Sequence, residues 1–209
     1  MNRTATTSSA SRRKTRTGTH DLFLARWSPR AFEPVEIERD TLLSFLEAGR
    51  WAPSAYNFQP WRFIHARRDT PQWETFGQWL LPFNRAWAQN ASALVYVVSR
   101  TTIVPPGKTE AVPSPSHAFD AGAAALLIQL QAAHEGWASH VMGGINRDAA
   151  HAGLGLPDDY TVEAAIAIGR RAHPDGLPAH LADREFPSDR LPLDEIAFEG
   201  RFPTASEPV

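Results

Sequence analysis

Two guanidinium groups four residues apart, with a hydroxyl between them, stand in the stretch Arg26-Trp27-Ser28-Pro29-Arg30-Ala31-Phe32. A guanidinium is always charged and presents a planar fork of donors that matches phosphate oxygens. Read alone, the stretch suits a phosphate or a solvated turn equally well. A second stretch, Ala48–Trp61, reads A-G-R-W-A-P-S-A-Y-N-F-Q-P-W. Pro53 must stop the helix before it, because the residue preceding a proline avoids the helical region. The turn that follows presents Ser54, Asn57 and Gln59 among aromatics, and amides carry both donors and acceptors. Its bland alternative is a capped turn with packed tryptophans. A third stretch, Asp189-Arg190-Leu191-Pro192-Leu193-Asp194-Glu195-Ile196, sets one arginine just before a proline stop. On its own that arginine reads as a surface salt bridge.

Other chemistries find little support. The chain has no G-x-G-x-x-G, P-loop or G-x-S-x-G, and Gly143-Gly144 lacks the spacing of a phosphate loop. It has no cysteine, which removes thiol catalysis, disulfides and thiolate metal sites. His117 and Asp120 share a helix, and His134 and His140 lie near its end. A metal would need further ligands converging from elsewhere, so no metal is expected. No local signature joins serine, histidine and acid into a hydrolytic triad.

The elements that must position these residues follow from periodicity. At 209 residues, with 43% apolar and 21% charged side chains, the chain suits one soluble domain. Helices are predicted over Asp21–Arg26, over 38–50 from Leu42, Leu43 and Leu46, and over 71–80 behind a Thr70-Pro71 start. Ala93–Ser99 is a continuous apolar run of strand length, suited to a strand covered on both faces. Residues 101–116 hold four prolines and form a long loop. His117–Gly136 is the strongest helix, apolar nearly all round and so expected to be central and buried. Strands follow at Trp61–Ala66, Trp137–Met142 and Thr161–Ile168. A short helix at 147–152 has Asn146 as its cap, and the tail from Pro187 is extended. The order implies an α+β fold with a small mixed or antiparallel sheet flanked by helices.

Charge is uneven along the chain. Residues 1–20 hold five bases and no acid, leaving 16 bases against 23 acids in the rest. An acidic body does not suit a nucleic-acid groove. Residues 1–18 lack the apolar surface to order themselves, so a disordered basic tail is expected before a single domain at 19–209. Ser11-Arg12-Arg13-Lys14 has no apolar region after it, so a cytoplasmic protein is expected, with an organellar transit segment as the alternative. No apolar run reaches membrane-spanning length.

Taken in order, the motifs resemble the nitroreductase family. R-x-S-x-R-x-F is similar to that family's opening motif and A-P-S-x-x-N-x-Q-P-W to its second. Leu154–Pro157, Ala165–Gly169 and Arg190–Ile196 are similar to its closing landmarks, so the resemblance spans about residues 21–200. The resemblance implies an obligate homodimer with FMN (flavin mononucleotide) between the two subunits. It implies that Arg26, Trp27, Ser28 and Arg30 meet the phosphate and pyrimidine side, with Arg190 returning to the phosphate. Pro53, Ser54, Ala55, Asn57 and Gln59 would come from the partner subunit, and Gly143 and Gly144 would lie against the flavin's reactive edge. Arg30 would steady the negative charge of the reduced ring. No catalytic side chain is implied, because the flavin carries the hydride. NADH or NADPH would reduce it and a small aromatic acceptor, a nitroaromatic or a quinone, would reoxidise it in a ping-pong cycle. The acceptor's pocket is expected from Trp79–Trp87 and the 101–116 loop. A dehalogenating or flavin-consuming relative and a non-catalytic flavin-binding protein remain the alternatives. The chain departs from the family's pattern at Trp27, Gly143 and Ser188, where a base, a glutamate and a lysine are common, so fewer cations would face the phosphate.

Overall fold

The computed structural model describes Arg13, Thr15 and residues 17–203. Seven α-helices and seven strands run through these residues. They are α1 (Asp21–Ala25), β1 (Phe32–Glu33), α2 (Arg39–Arg50), β2 (Trp61–Arg67), α3 (Trp73–Gln78), α4 (Pro82–Ala88) and β3 (Ala93–Arg100). Then come β4 (Thr102–Ile103), β5 (Val112–Pro113), α5 (His117–His134), β6 (Ala138–Met142), α6 (Arg147–Gly153), β7 (Tyr160–Arg171) and α7 (Ala179–Ala182). The main sheet has five strands: β7 pairs with β3, β6 and β1, and β3 pairs with β2. Every pairing is antiparallel, so of the two sheet types allowed by the sequence the antiparallel one is realised.

β3 shows why the sheet is covered twice. Ala93, Val95 and Val97 enter one apolar cluster with Leu42, Phe45 and Ile128, from α2 and α5. Leu94, Tyr96 and Val98 enter the other with Phe76, Trp79 and Trp87, from α3 and α4. Successive side chains of a strand point to opposite faces, so an unbroken apolar run serves two layers. The β3–β7 register shifts between Val97 and Val98, because Val97 faces Ala164 while Val98 faces Val162. Glu163 is thereby the extra residue of a β-bulge. Such bulges re-aim a side chain.

Local signals set the ends of elements. Asn146 caps α6 by accepting from Ala149 N at 3.1 Å. Gly136 adopts φ 76°, with Gly136 N bonded to Ala133 O and Trp137 N to Ala132 O, a Schellman close to α5. Three expectations need correction. Thr70 is not an N-cap: its hydroxyl donates back to Arg67 O, and the helix begins only at Trp73, leaving α4 as a separate helix started by Pro82. The 101–116 loop contains the β4–β5 hairpin. α5 is not buried all round, since Phe119 is 82% and Leu126 45% exposed. The expected basic tail falls mostly outside the described residues, but Arg13 within it is docked. Among the described residues no helix is long and apolar enough to cross a membrane.

Candidate functional site

The loop between α1 and β1 is held from several directions. Glu185 Oε1 accepts from Arg30 N at 2.6 Å and from Ala31 N at 2.8 Å. His140 Nδ1 lies 2.9 Å from Pro29 O, a pure acceptor, so Nδ1 carries the proton. Burial pushes His140 down to about 4, against backbone hydrogen bonds and with the help of Arg30 and Arg26. The imidazole is therefore neutral, packed 4.6 Å from the Trp87 ring. Beyond Ala31 the chain enters β1, where buried Phe32 stacks on Trp87. The Arg26–Arg30 loop is thus fixed by core contacts.

This rigid loop forms one wall of a cavity of about 410 Å³. Its lining holds five arginines (Arg13, Arg26, Arg30, Arg184, Arg190) with Trp27, Ser28, His140, Phe186 and Ser188, and no acid. Burial, then the charges of Arg13 and Arg190, push the Arg26 guanidinium below its ordinary range. Arg30 Nε and Arg13 Nη2 are buried without a partner among the described residues. Buried donors without acceptors are costly, and crowded like charges more so. Both costs fall if a multivalent anion fills the cavity. The donor set fits a phosphate monoester, which can accept from several forks at once.

A second cavity of about 350 Å³ shares Arg26 and Ser28 with the first. Its walls are Val97, Ala118, Ala121, Gly122, Ala125, Leu126, Val141 and Ala164, with Gln129 and Glu163 as further polar members. Gln129 is buried, accepts from Arg26 Nη1 at 3.3 Å and donates to Ala125 O at 3.2 Å, which ties Arg26 to α5. Glu163, aimed by the bulge, accepts from Ser99 Oγ at 2.5 Å and meets His117 Nδ1 at 3.1 Å. Ser99 donates to the carboxylate, so the trio lacks the serine-to-histidine donation of a hydrolytic triad. A cationic compartment therefore adjoins an apolar one at Arg26 and Ser28. Arg30 lines the first and not the second.

The other residues singled out by sequence lie elsewhere. Gly143 and Gly144 follow Val141 and Met142 on β6 but line neither cavity. A Cβ on Gly143 would meet nothing within 4 Å, while one on Gly144 would lie 2.5 Å from Asn84 Nδ2. Arg190 reaches the cavity from the C-terminal arm, its Nη1 donating to Ser188 Oγ at 2.8 Å. The Pro53–Gln59 turn lines neither cavity. Ser54 Oγ accepts from Gln59 N at 3.0 Å, Ala55 N donates to Asp120 Oδ2 at 3.3 Å, and Tyr56, Asn57 and Gln59 hold positive φ near 51–57°. Asp120 and Gly122 lie about 200° apart around α5, so the turn sits opposite the helix face that lines the apolar cavity. Within one chain the two motifs are not brought together.

Within the Trp79–Trp87 region the two tryptophans are buried in the core, while Leu81 and Phe83 are exposed; neither this region nor the 101–116 loop lines the two cavities that share Arg26. Sequence reading also missed Arg13, Gln129, His140 and Glu185 as site members. Each is a single residue with no motif around it, and their contacts span 13, 103, 111 and 155 positions.

Residues 24–170 match the model of the Nitroreductase family. A crystal structure of an FMN-containing oxidoreductase superposes with TM-score 0.88 at 45% identity, covering 91% of this chain and 96% of that one. The FMN- and NADPH-dependent nitroreductase NfnB (Y88A variant) from a Sphingopyxis strain shares the fold, with TM-score 0.66 and 19% identity over 87% of this chain and 98% of that one. The enone reductase of CLA biosynthesis from Lactiplantibacillus plantarum is 37% identical over 83 residues, 39% of this chain. The match spans only 37% of that relative's length.

Proposed function

Because the chain belongs to the nitroreductase family, we propose that it is an FMN-dependent oxidoreductase passing a hydride from NAD(P)H to a small planar acceptor. The observation that carries this is a pair of adjoining cavities. One is lined by five arginines and no acid, and it shares Arg26 and Ser28 with one walled by alanine, valine and leucine. A phosphate monoester attached to a flat ring needs that division.

Arg26, Arg30, Ser28 and Arg190 would hold the phosphate, with Trp27 closing the wall behind it. Arg26 lines both compartments and Arg30 only the first, which favours Arg26 over Arg30, the residue expected from sequence, as the one to steady the ring. A fixed guanidinium at that junction is a preorganised positive charge for the electron-rich reduced ring. FMN, when bound, supplies hydride chemistry at its ring and the protein supplies binding and orientation. Gly143, with open space where a side chain would stand, would allow close approach to the ring's edge.

An acceptor that takes a hydride also takes a proton. Glu163 stands in the apolar wall, its Oε1 accepting from the Ser99 hydroxyl and meeting the His117 imidazole, and this hydrogen-bonded trio would be the route by which a proton reaches the acceptor. Exposed Phe119 and Leu126, with Ala118 and Gly122 beside them, form an uncovered apolar stripe on α5. A second copy covering that stripe would bring its own Pro53, Ser54, Ala55, Asn57 and Gln59 toward the ring, which a single chain does not do. The test is steady-state NAD(P)H oxidation with menadione and with a nitrofuran, with and without added FMN. The reading predicts FMN-dependent turnover of at least one acceptor. Coloured protein with no turnover would favour a flavin-binding role instead.

A further inference from the structure

We propose that Arg13, from the basic segment ahead of α1, is a ligand of the phosphate monoester in the arginine-lined cavity. The proposal rests on the FMN reading above. Arg13 Nε donates to Ser188 O at 2.9 Å, and Nη1 donates to Leu24 O at 3.1 Å and to Arg26 O at 2.7 Å. Three backbone carbonyls, two at the end of α1 and one in the C-terminal arm, therefore take the donors of its Nε and Nη1. Its Nη2 is buried and has no partner among the described residues, and Arg13 lines the same cavity as Arg26, Arg30 and Arg190. A guanidinium carries five N–H donors. Here the three at Nε and Nη1 fix its position and the two at Nη2 remain for a ligand.

The charges agree with this geometry. Carbonyl oxygens orient the guanidinium without neutralising it. Burial, then Arg190, push Arg13 below its ordinary range, and only Asp189 acts the other way. A dianion between Arg13, Arg26 and Arg190 relieves that crowding. Arg13 is also bonded to Ser188, the position where a lysine is common on the resemblance. A cation from the N-terminal segment thus stands beside the place where the arm lacks one. The same contacts make Arg13 a clasp between α1 and the C-terminal arm, so filling the cavity would hold both segments together.

The experiment measures dissociation constants of the full chain, freed of flavin, for FMN and for riboflavin by flavin fluorescence. Wild type, Arg13→Ala and Arg13→Lys are compared. Removing one charge-assisted donor pair should weaken FMN binding roughly 10- to 100-fold. Riboflavin, which lacks the phosphate, should bind wild type and Arg13→Ala alike within about twofold. Arg13→Lys should recover part of the loss, since it keeps the charge without the fork. If wild type prefers FMN and Arg13→Ala binds it unchanged, Arg13 is not a ligand and the FMN reading stands. An equal loss for FMN and riboflavin would also overturn the proposal, because Arg13 would then act only through the clasp. If wild type shows no preference for FMN over riboflavin, the phosphate reading of the cavity itself is overturned.

Discussion

The Arg26–Arg30 loop and the Pro53–Gln59 turn both carry polar motifs, yet the chain treats them in opposite ways. The first is pinned by Glu185, His140, Gln129 and β1, and it faces a formed cavity. The second is tied down by its own Ser54 and by Asp120, holds three residues at positive φ, and faces away from that cavity. Positive φ at non-glycine residues costs energy, of order 1–3 kcal/mol each, that an isolated turn has little reason to bear. A region finished within one chain and a region that gains its purpose only against a second copy would look this way.

Breaking the apolar stripe should do the most damage. Phe119→Asp puts a charge on the exposed face of α5, where a subunit interface would desolvate it. The expected outcome in light scattering and absorbance is loss of the dimer together with most of its flavin. A flavin-loaded dimer after that change would dissolve the contrast between the two regions. Arg26→Ala comes next. It removes the residue shared by both cavities and should weaken FMN binding by about 2–5 kcal/mol, toward the lower end because Arg26 is only partly buried. Excess FMN should then restore part of the activity, which titration would show.

Glu185→Ala should have a smaller effect. It strips two backbone N–H groups of their acceptor, for about 1–3 kcal/mol, a fall of several degrees in Tm. Double-mutant comparison with Arg30→Ala would separate loop order from charge. Acid should weaken the same loop through His140. Its folded value is lowered to about 4 from an ordinary 6.5, so the unfolded chain binds more protons between those values. Stability contributed by the neutral ring is present above pH 6.5 and is lost as pH falls toward 4. Within that window the loss is at most about 1.4 kcal/mol for each step of one in pH. Urea unfolding across that window should slope less steeply for His140→Gln than for wild type. Smallest is Glu163→Gln, which should leave flavin content unchanged and slow turnover at saturating acceptor by no more than about tenfold, below the contribution of a complete general acid.

Much of the fold was legible because its signals are local. The unbroken apolar run of β3, the Asn146 cap and the glycine closing α5 each act over a few residues. Thr70-Pro71 misled because a turn and a helix start use the same residue types, and the choice between them fell to packing of Trp73 and Phe76. The site divided the same way. Arg26, Ser28, Arg30 and Arg190 were recognisable as motif members. Gln129 inside an apolar helix, His140 inside a strand and Glu185 in a loop carry no local mark, since their roles are contacts made by the tertiary fold. Arg13 was hidden more thoroughly, because composition alone assigned its whole segment to a tail.

On the proposed function the two adjoining cavities take one phosphate and one flat ring. The most direct test is to denature the purified protein, identify the released flavin by chromatography and count it against subunits. FMN at about one per subunit is the predicted result. FAD, whose second phosphate and adenosine have no Gly-rich loop to receive them here, or a flavin content near zero even after incubation with FMN, would contradict it.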